Sequence, residues 1–268
     1  MSLRLAVSDA VADIVLSGPA KGNPMGPEFF RELPRLVAEV DRDPSVRAVI
    51  VRADGPHFCF GLDLPASFAE MGPVLQGGLA AARTALYETI LEWQASVSSL
   101  TTCRKPVIAA VHGWCIGGGV DLVTACDIRV CSRDARFSVR EVRVAIVADV
   151  GSLQRLPYIV GEGHARELAF TGCDVDADRA LRIGLVNEVH ENKEATHLAA
   201  LAMARRIAEN PPLVVSGIKR VMEHAKSGAV RAGLEHVAAW NAAFLPSQDL
   251  GEAMSAFMEK RPAKFKGE

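Results

Sequence analysis

No stretch of this 268-residue sequence is long and apolar enough to cross a bilayer. The longest run free of Asp, Glu, Lys and Arg extends from Pro106 to Val120 and carries four glycines, whereas a spanning helix takes about 20 apolar residues. An excess of charge is missing too: 30 Lys and Arg stand against 32 Asp and Glu, a formal net charge of -2. That balance, without a basic stripe studded with aromatics, argues against a protein that binds nucleic acid by neutralising phosphates. The chain has no C-x-x-C pair. Its six cysteines (Cys59, Cys103, Cys115, Cys126, Cys131 and Cys173) sit mostly among apolar neighbours and read as buried free thiols. Asp9 and Asp13 interrupt the N-terminal apolar region that a secretion signal needs. A reducing compartment is therefore expected, with the cytoplasm as the location.

With 49% apolar and 23% charged residues, the chain can bury a sizeable core. Leu3 to Val7 and Ala12 to Leu16 alternate as strands around a turn at Ser8-Asp9-Ala10. Gly18-Pro19 and Gly22-Asn23-Pro24 mark a loop. Apolar residues at three- and four-residue steps predict a helix from Met25 to Val40, kinked at Pro34. Ala48-Val49-Ile50-Val51 reads as a buried strand, Gly78 to Leu100 as a helix, and Val107 to Val111 as a second buried strand. A helix over Val120 to Cys126 and a strand at Ile128-Arg129-Val130 follow. Such alternation predicts an α/β fold. Strand signals stop at about His197, and helical patterns continue over Leu198–Ile207, Val214–His224 and Ala229–Ala243. The expected division is a core over residues 1–196 and a helical region over 197–268.

Two loops leave neighbouring strands with exposed backbone. The first is Gly55-Pro56-His57-Phe58-Cys59-Phe60-Gly61-Leu62-Asp63-Leu64. The second is His112-Gly113-Trp114-Cys115-Ile116-Gly117-Gly118-Gly119, directly before a helix. The triple glycine suits a plain strand-to-helix turn, and equally a site for developing negative charge at a helix start. An oxyanion hole needs two N–H donors from separate segments, which this pair of loops can supply. Three carboxylates stand near these loops in sequence: Asp121, Glu141 after the strand-like Phe137 to Arg140, and Asp149 among small apolar residues. Asp149 fits either a buried acid or the cap of a helix beginning near Gly151. Spacing alone does not bring the three together. The dinucleotide fingerprint G-x-G-x-x-G is absent here.

His112-Gly113 through Gly119, Asp127-Ile128-Arg129 and Gln154-Arg155-Leu156-Pro157 resemble the crotonase (enoyl-CoA hydratase/isomerase) superfamily. The likeness runs from Asn23-Pro24-Met25 to Ala256-Phe257-Met258-Glu259-Lys260-Arg261. The segments Gly119 to Arg129, Glu141-Val142 and Ala148 to Pro157 resemble its Δ3,5-Δ2,4-dienoyl-CoA isomerase branch. The resemblance implies a spiral of repeated ββα units with a C-terminal helical trimerisation region. It also implies Leu62 and Gly118 as oxyanion N–H donors and Asp121, Glu141 and Asp149 as the branch's three acids. Glu141 would be the base at C2 of a thioester, Asp149 the acid at C6, and Asp121 would hold the charge balance between them. It implies no metal and no cofactor, coenzyme A being part of the substrate. That CoA would lie near the first loop, at Phe60 and Asp63, with Phe257 and Lys260 reaching a neighbouring subunit's CoA in a trimer or hexamer. Pocket walls are expected from segments such as Ala66 to Gly78. The rival readings are an enoyl-CoA hydratase and a non-catalytic acyl-CoA-binding protein of the same fold.

Overall fold

The computed structural model describes residues 2–18, 22–67 and 80–268. Pro19 of the first expected loop, and the expected pocket segment Ala66 to Gly78 from residue 68 onward, lie outside the described residues. Strands β1 (Ser2–Ser8) and β2 (Val11–Ser17) form the expected antiparallel hairpin. Asp9 and Ala10 between them both have positive φ, 48° and 63°, the two-residue turn whose twist matches the flanking strands. Helix α1 (Pro27–Arg42) buries Phe29, Phe30, Leu33, Leu36, Val37 and Val40, and it continues as one segment through Pro34. It begins two residues later than its apolar pattern because Met25 is held in a parallel bridge to Leu62.

Strands β3 (Ala48–Ala53) and β4 (Val107–Val111), separated by α2 (Ala80–Thr102), pair in parallel with Val49 opposite Val107. With β6 (Ile128–Ser132) and β9 (Glu188–His190) they complete a six-stranded sheet ordered β1-β2-β3-β4-β6-β9, parallel except at the first pair. A smaller sheet joins β5 (Trp114–Ile116), β7 (Arg136–Ser138) and β8 (Val175–Asp176). The central strands read as unbroken apolar runs because both faces are covered. Val49, Val51, Val107, Ala109 and Val111 enter the larger core. Ala48, Ile50, Ile108 and Ala110 point the other way, where Ala200 and Ala204 of α7 (Lys193–Ala208) pack against them. Small side chains there allow close approach of helix to sheet.

Interspersed with the later strands, and before α7 in the chain, come α3 (Gly118–Thr124), a 3-10 helix (Glu141–Val144), α4 (Ser152–Val160), α5 (Glu162–Thr171) and α6 (Ala177–Arg182). After α7 the chain forms α8 (Pro212–Phe244) and α9 (Gln248–Glu259). Two sequence expectations need correction. The division after residue 196 falls inside α7, which packs on β2, β3, β4 and β6 and so belongs to the core. The two helical stretches read as Val214–His224 and Ala229–Ala243 are one helix: Ser227-Gly228 weakens it by about 1 kcal/mol relative to alanine, without a proline to break it. Near its start, buried Lys219 donates to the carbonyls of Leu100 and Lys105 and to Asp127 Oδ2, at 3.0, 3.1 and 2.8 Å. This fastens α8 to the end of α2 and to the strands beside it.

Candidate active site

Because β3 and β4 are parallel neighbours, the loops that follow them emerge at the same edge of the sheet, where ligands of open α/β sheets bind. The first loop is stitched by buried Asn23, whose Nδ2 donates to the carbonyls of Asp54, His57 and Phe58 at 3.0, 3.0 and 3.2 Å. The loops join through a parallel bridge between Cys59 and Cys115, with Ile116 N–H donating to Cys59 O at 2.9 Å. Gly61, at φ +82°, lies so close to the second loop that a Cβ there would meet Ile116 O at 2.8 Å and Gly118 N at 3.0 Å. Only glycine fits both the conformation and the space. The contact brings Leu62, the next residue, beside Gly118, the first residue of α3. Among the described residues neither of these N–H groups donates to a backbone acceptor. For Gly118 this follows from its place in the first turn, where helical N–H groups have no intrahelical acceptor.

The pairing of β5 with β7 carries Glu141 to the same place. Ile116 is opposite Ser138 and Gly117 N–H donates to Ser138 O at 2.9 Å, so the chain turns into the 3-10 helix beside the triple glycine. Glu141 Oε1 stands 3.3 Å from where a Gly117 Cβ would be, and Oε2 is buried without a hydrogen-bond partner. Burial, then the nearby Asp121 and Asp149 carboxylates, hold the Glu141 carboxyl well above its ordinary range.

Asp121, one turn into α3, is fully buried, and its Oδ1 accepts from Ser152 N–H at 2.5 Å at the start of α4. Burial raises its pKa, opposed by that hydrogen bond and by the Arg155 guanidinium. Asp149 is not the cap of α4: Gly151 occupies the cap position, and the Asp149 side chain turns elsewhere. Its Oδ2 accepts from Asn241 Nδ2 at 2.7 Å, and its backbone carbonyl accepts from Gln94 Nε2 at 2.7 Å. Burial first, and the Asp121 charge as well, push its pKa up to about 7 against the opposing pull of Asn241. Asp149 lines an apolar pocket with Leu62, Leu86, Ile90, Trp93, Ile146 and Leu245. Leu62 thus borders both the Gly118 turn and the pocket that holds Asp149.

Of the expected CoA contacts, Phe60, Phe257 and Lys260 are exposed and Asp63 is half-buried. Phe60 is exposed and stacks on His57, with ring centroids 5.0 Å apart. Asp63 Oδ1 accepts from Ala66 N–H at 3.2 Å. Phe257 and Lys260 are exposed at the end of α9, a helix that packs against the 3-10 helix carrying Glu141. Sequence reasoning missed Asn241 and Gln94, which support Asp149 from α8 and α2. Among the described residues no three His, Cys, Asp or Glu side chains are grouped to hold a metal ion.

The sequence pattern described as enoyl-CoA hydratase/isomerase matches residues 6–268. The chain belongs to the enoyl-CoA hydratase/isomerase family. It is 43% identical to the mitochondrial Delta(3,5)-Delta(2,4)-dienoyl-CoA isomerase of Dictyostelium discoideum, over 98% of this chain and 91% of that protein. To the peroxisomal Delta(3,5)-Delta(2,4)-dienoyl-CoA isomerase of Arabidopsis thaliana it is 42% identical, over 98% and 95%. Among solved structures, an enoyl-CoA hydratase/isomerase from Pseudoalteromonas atlantica T6c superimposes with a TM-score of 0.86 at 27% identity, covering 99% of this chain and 100% of that one. The fold is accordingly that of the hydratase/isomerase enzymes, whose substrates are acyl-CoA thioesters. These relatives correct the expected cytoplasmic location, since their names place them in the mitochondrion and the peroxisome. The free thiols behind that expectation are mostly shut inside the core. Burial raises those of Cys59 and Cys126 to about 12, so they report packing rather than compartment.

Proposed function

We propose that this family member is an acyl-CoA double-bond isomerase of fatty-acid metabolism that converts 3,5-dienoyl-CoA to 2,4-dienoyl-CoA. The reading is carried by one observation: a second carboxyl, Asp149, lines the apolar pocket that begins at Leu62, while Glu141 stands at the glycine turn. Ionised Glu141 takes a proton from C2. The electron pair moves onto the thioester oxygen, where the Leu62 and Gly118 N–H groups stabilise it, and spreads through the two double bonds to C6. Protonated Asp149 delivers its proton there, leaving double bonds at C2–C3 and C4–C5. Glu141 gains one proton and Asp149 loses one, so the pair returns to its starting state by exchange with solvent. Buried acids that cannot all ionise together keep a proton within the cluster, and the reaction proceeds from the form that has it on Asp149 with Glu141 charged. Asp121, held by Ser152 N–H and facing Arg155, contributes to that restraint. Every step uses side chains and backbone of the chain and calls on no cofactor.

The same reading includes assembly into a homotrimer, single or doubled into a hexamer. It is supported by Val214, Ile218, Val221 and Met222, apolar residues exposed along α8. Phe257 and Lys260 would then lie toward a neighbour's CoA. The test is a screen of purified protein against 2-enoyl-, 3-enoyl- and 3,5-dienoyl-CoA esters, followed by ultraviolet absorbance. Growth of the longer conjugated chromophore from the 3,5-diene is expected. Fast hydration of the 2-enoyl ester with an untouched diene would make the protein a hydratase, and tight binding without turnover a non-catalytic binder.

A further inference from the structure

Two buried primary amides grip the segment that carries Asp149, one from each side. Gln94 of α2 donates through Nε2 to Asp149 O at 2.7 Å and to Leu234 O at 2.9 Å. Asn241, two turns beyond Leu234 on α8, donates through Nδ2 to Val147 O at 2.8 Å and to Asp149 Oδ2 at 2.7 Å. The orientation of the Asn241 amide is fixed by its partners. Val147 O is a carbonyl and can only accept, so the nitrogen faces it, and the same nitrogen reaches the carboxyl.

We infer that Asn241 is a positioning residue for proton delivery at C6, one that directs the acid proton of Asp149 to Oδ1. The inference rests on the isomerase reading above. Both N–H groups of Asn241 are engaged, and neither can accept. A carboxyl accepts better through its carbonyl oxygen than through its hydroxyl, so the bond to Oδ2 favours that oxygen as the carbonyl and the proton on Oδ1. Among the described residues no other side chain donates to Oδ1, and Asp149 borders the apolar pocket that begins at Leu62. A carboxyl free to place its proton on either oxygen would spend part of its time with that proton turned away from the substrate.

The donor also favours the ionised form of Asp149. It opposes burial and the charge of Asp121 on α3, with Glu141 on the 3-10 helix the other acid of the cluster. From α2 and α8 the facing groups are the neutral amides of Gln94 and Asn241, and the Arg155 guanidinium of α4 bears on Asp121. Asn241 therefore sets both the site of the proton and the pH at which it leaves. The signal is invisible along the chain because Asn241 lies 92 residues from Asp149 in a helix otherwise suited to assembly.

The test compares wild type with Asn241→Leu, which keeps the volume and removes both donors, and with the smaller Asn241→Ala, which carries the same readout should the leucine variant fail to fold. The pH dependence of kcat/KM for a 3,5-dienoyl-CoA is measured. Loss of one hydrogen bond to a carboxylate is expected to move the descending alkaline limb upward by about one pH unit. It is also expected to lower kcat about tenfold with KM within about twofold. In an Asp149→Asn background the same substitutions should add no further loss of kcat. An unmoved limb, or an equal further loss in that background, would overturn the role of Asn241. A wild-type enzyme inert toward the diene would instead sink the isomerase reading itself.

Discussion

Replacing Asp149 with asparagine separates the chemistry of the site from its architecture. The two side chains are nearly the same shape. The amide oxygen of the variant can accept from Asn241 as Oδ2 does at 2.7 Å, and Gln94 still holds the backbone carbonyl. What disappears is the proton for C6. A positioned general acid contributes about 10²–10⁴-fold, so kcat for the diene is expected to fall by that factor, roughly 3–5 kcal/mol of barrier. KM should hardly change, since the variant presents the same apolar pocket. Stability should move the other way. Burial keeps Asp149 protonated up to about 7 in the folded chain, against an ordinary value of 3.8. The folded state thus holds this proton more tightly than the unfolded one, and stability falls as pH rises from the lower value to the higher. The full penalty, reached above about pH 7, is on the order of 4 kcal/mol. An asparagine escapes it. Chemical denaturation should therefore show wild type and variant alike near pH 4 and the variant more stable at pH 8. Stopped-flow absorbance gives the kinetic half of the test. A loss in kcat under tenfold, or a variant no more stable than wild type at pH 8, refutes the assignment of Asp149 as a buried acid.

Three other outcomes are expected. Glu141→Gln should abolish exchange of the C2 hydrogen with deuterated solvent, whereas Asp149→Asn should keep that exchange while losing isomerisation; a Glu141→Gln enzyme that still exchanges is not missing its base. The wild-type kcat/KM should fall as pH rises through about 7, because Asp149 must be protonated to act and its pKa is raised to that point by burial and Asp121; a profile flat to pH 9 contradicts this. Gly61→Ala should lower kcat by about 10²-fold or more by displacing the Leu62 N–H, since its Cβ would lie 2.8 Å from Ile116 O; an alanine variant with normal kcat means that Leu62 is not a donor.

The parts of this molecule written plainly in its sequence are those whose environment is uniform. Ala48–Val51 and Val107–Val111 are buried on both faces, so their apolar runs can be read directly. The hairpin and α1 follow from regular alternation and spacing. The short strands β5, β7 and β8 are two or three residues long and hold no period at all. Phe137 to Arg140 does contain a strand, yet Glu141 begins a 3-10 helix closed by Ala145 at φ +57°, a conformation no pattern announces. Asp149 stood out because an acid among small apolar residues is unusual. Its partners did not. Gln94 and Asn241 look like ordinary polar positions on amphipathic helices, and only the packing of α8 against α2 turns them inward. Lys219 was hidden for the same reason.

The placement of α7 and α8 bears on any attempt to engineer a smaller catalyst. A chain trimmed after residue 196 would cut α7 in its first turn and uncover Ile50, Ile108 and Val130 on the back of the sheet. It would also strip Leu245 from the apolar pocket beside Asp149 and leave the Asp149 carboxyl without its amide. A monomeric form of the proposed trimer is to be sought by recolouring the outer face of α8 with polar side chains, leaving its full length in place.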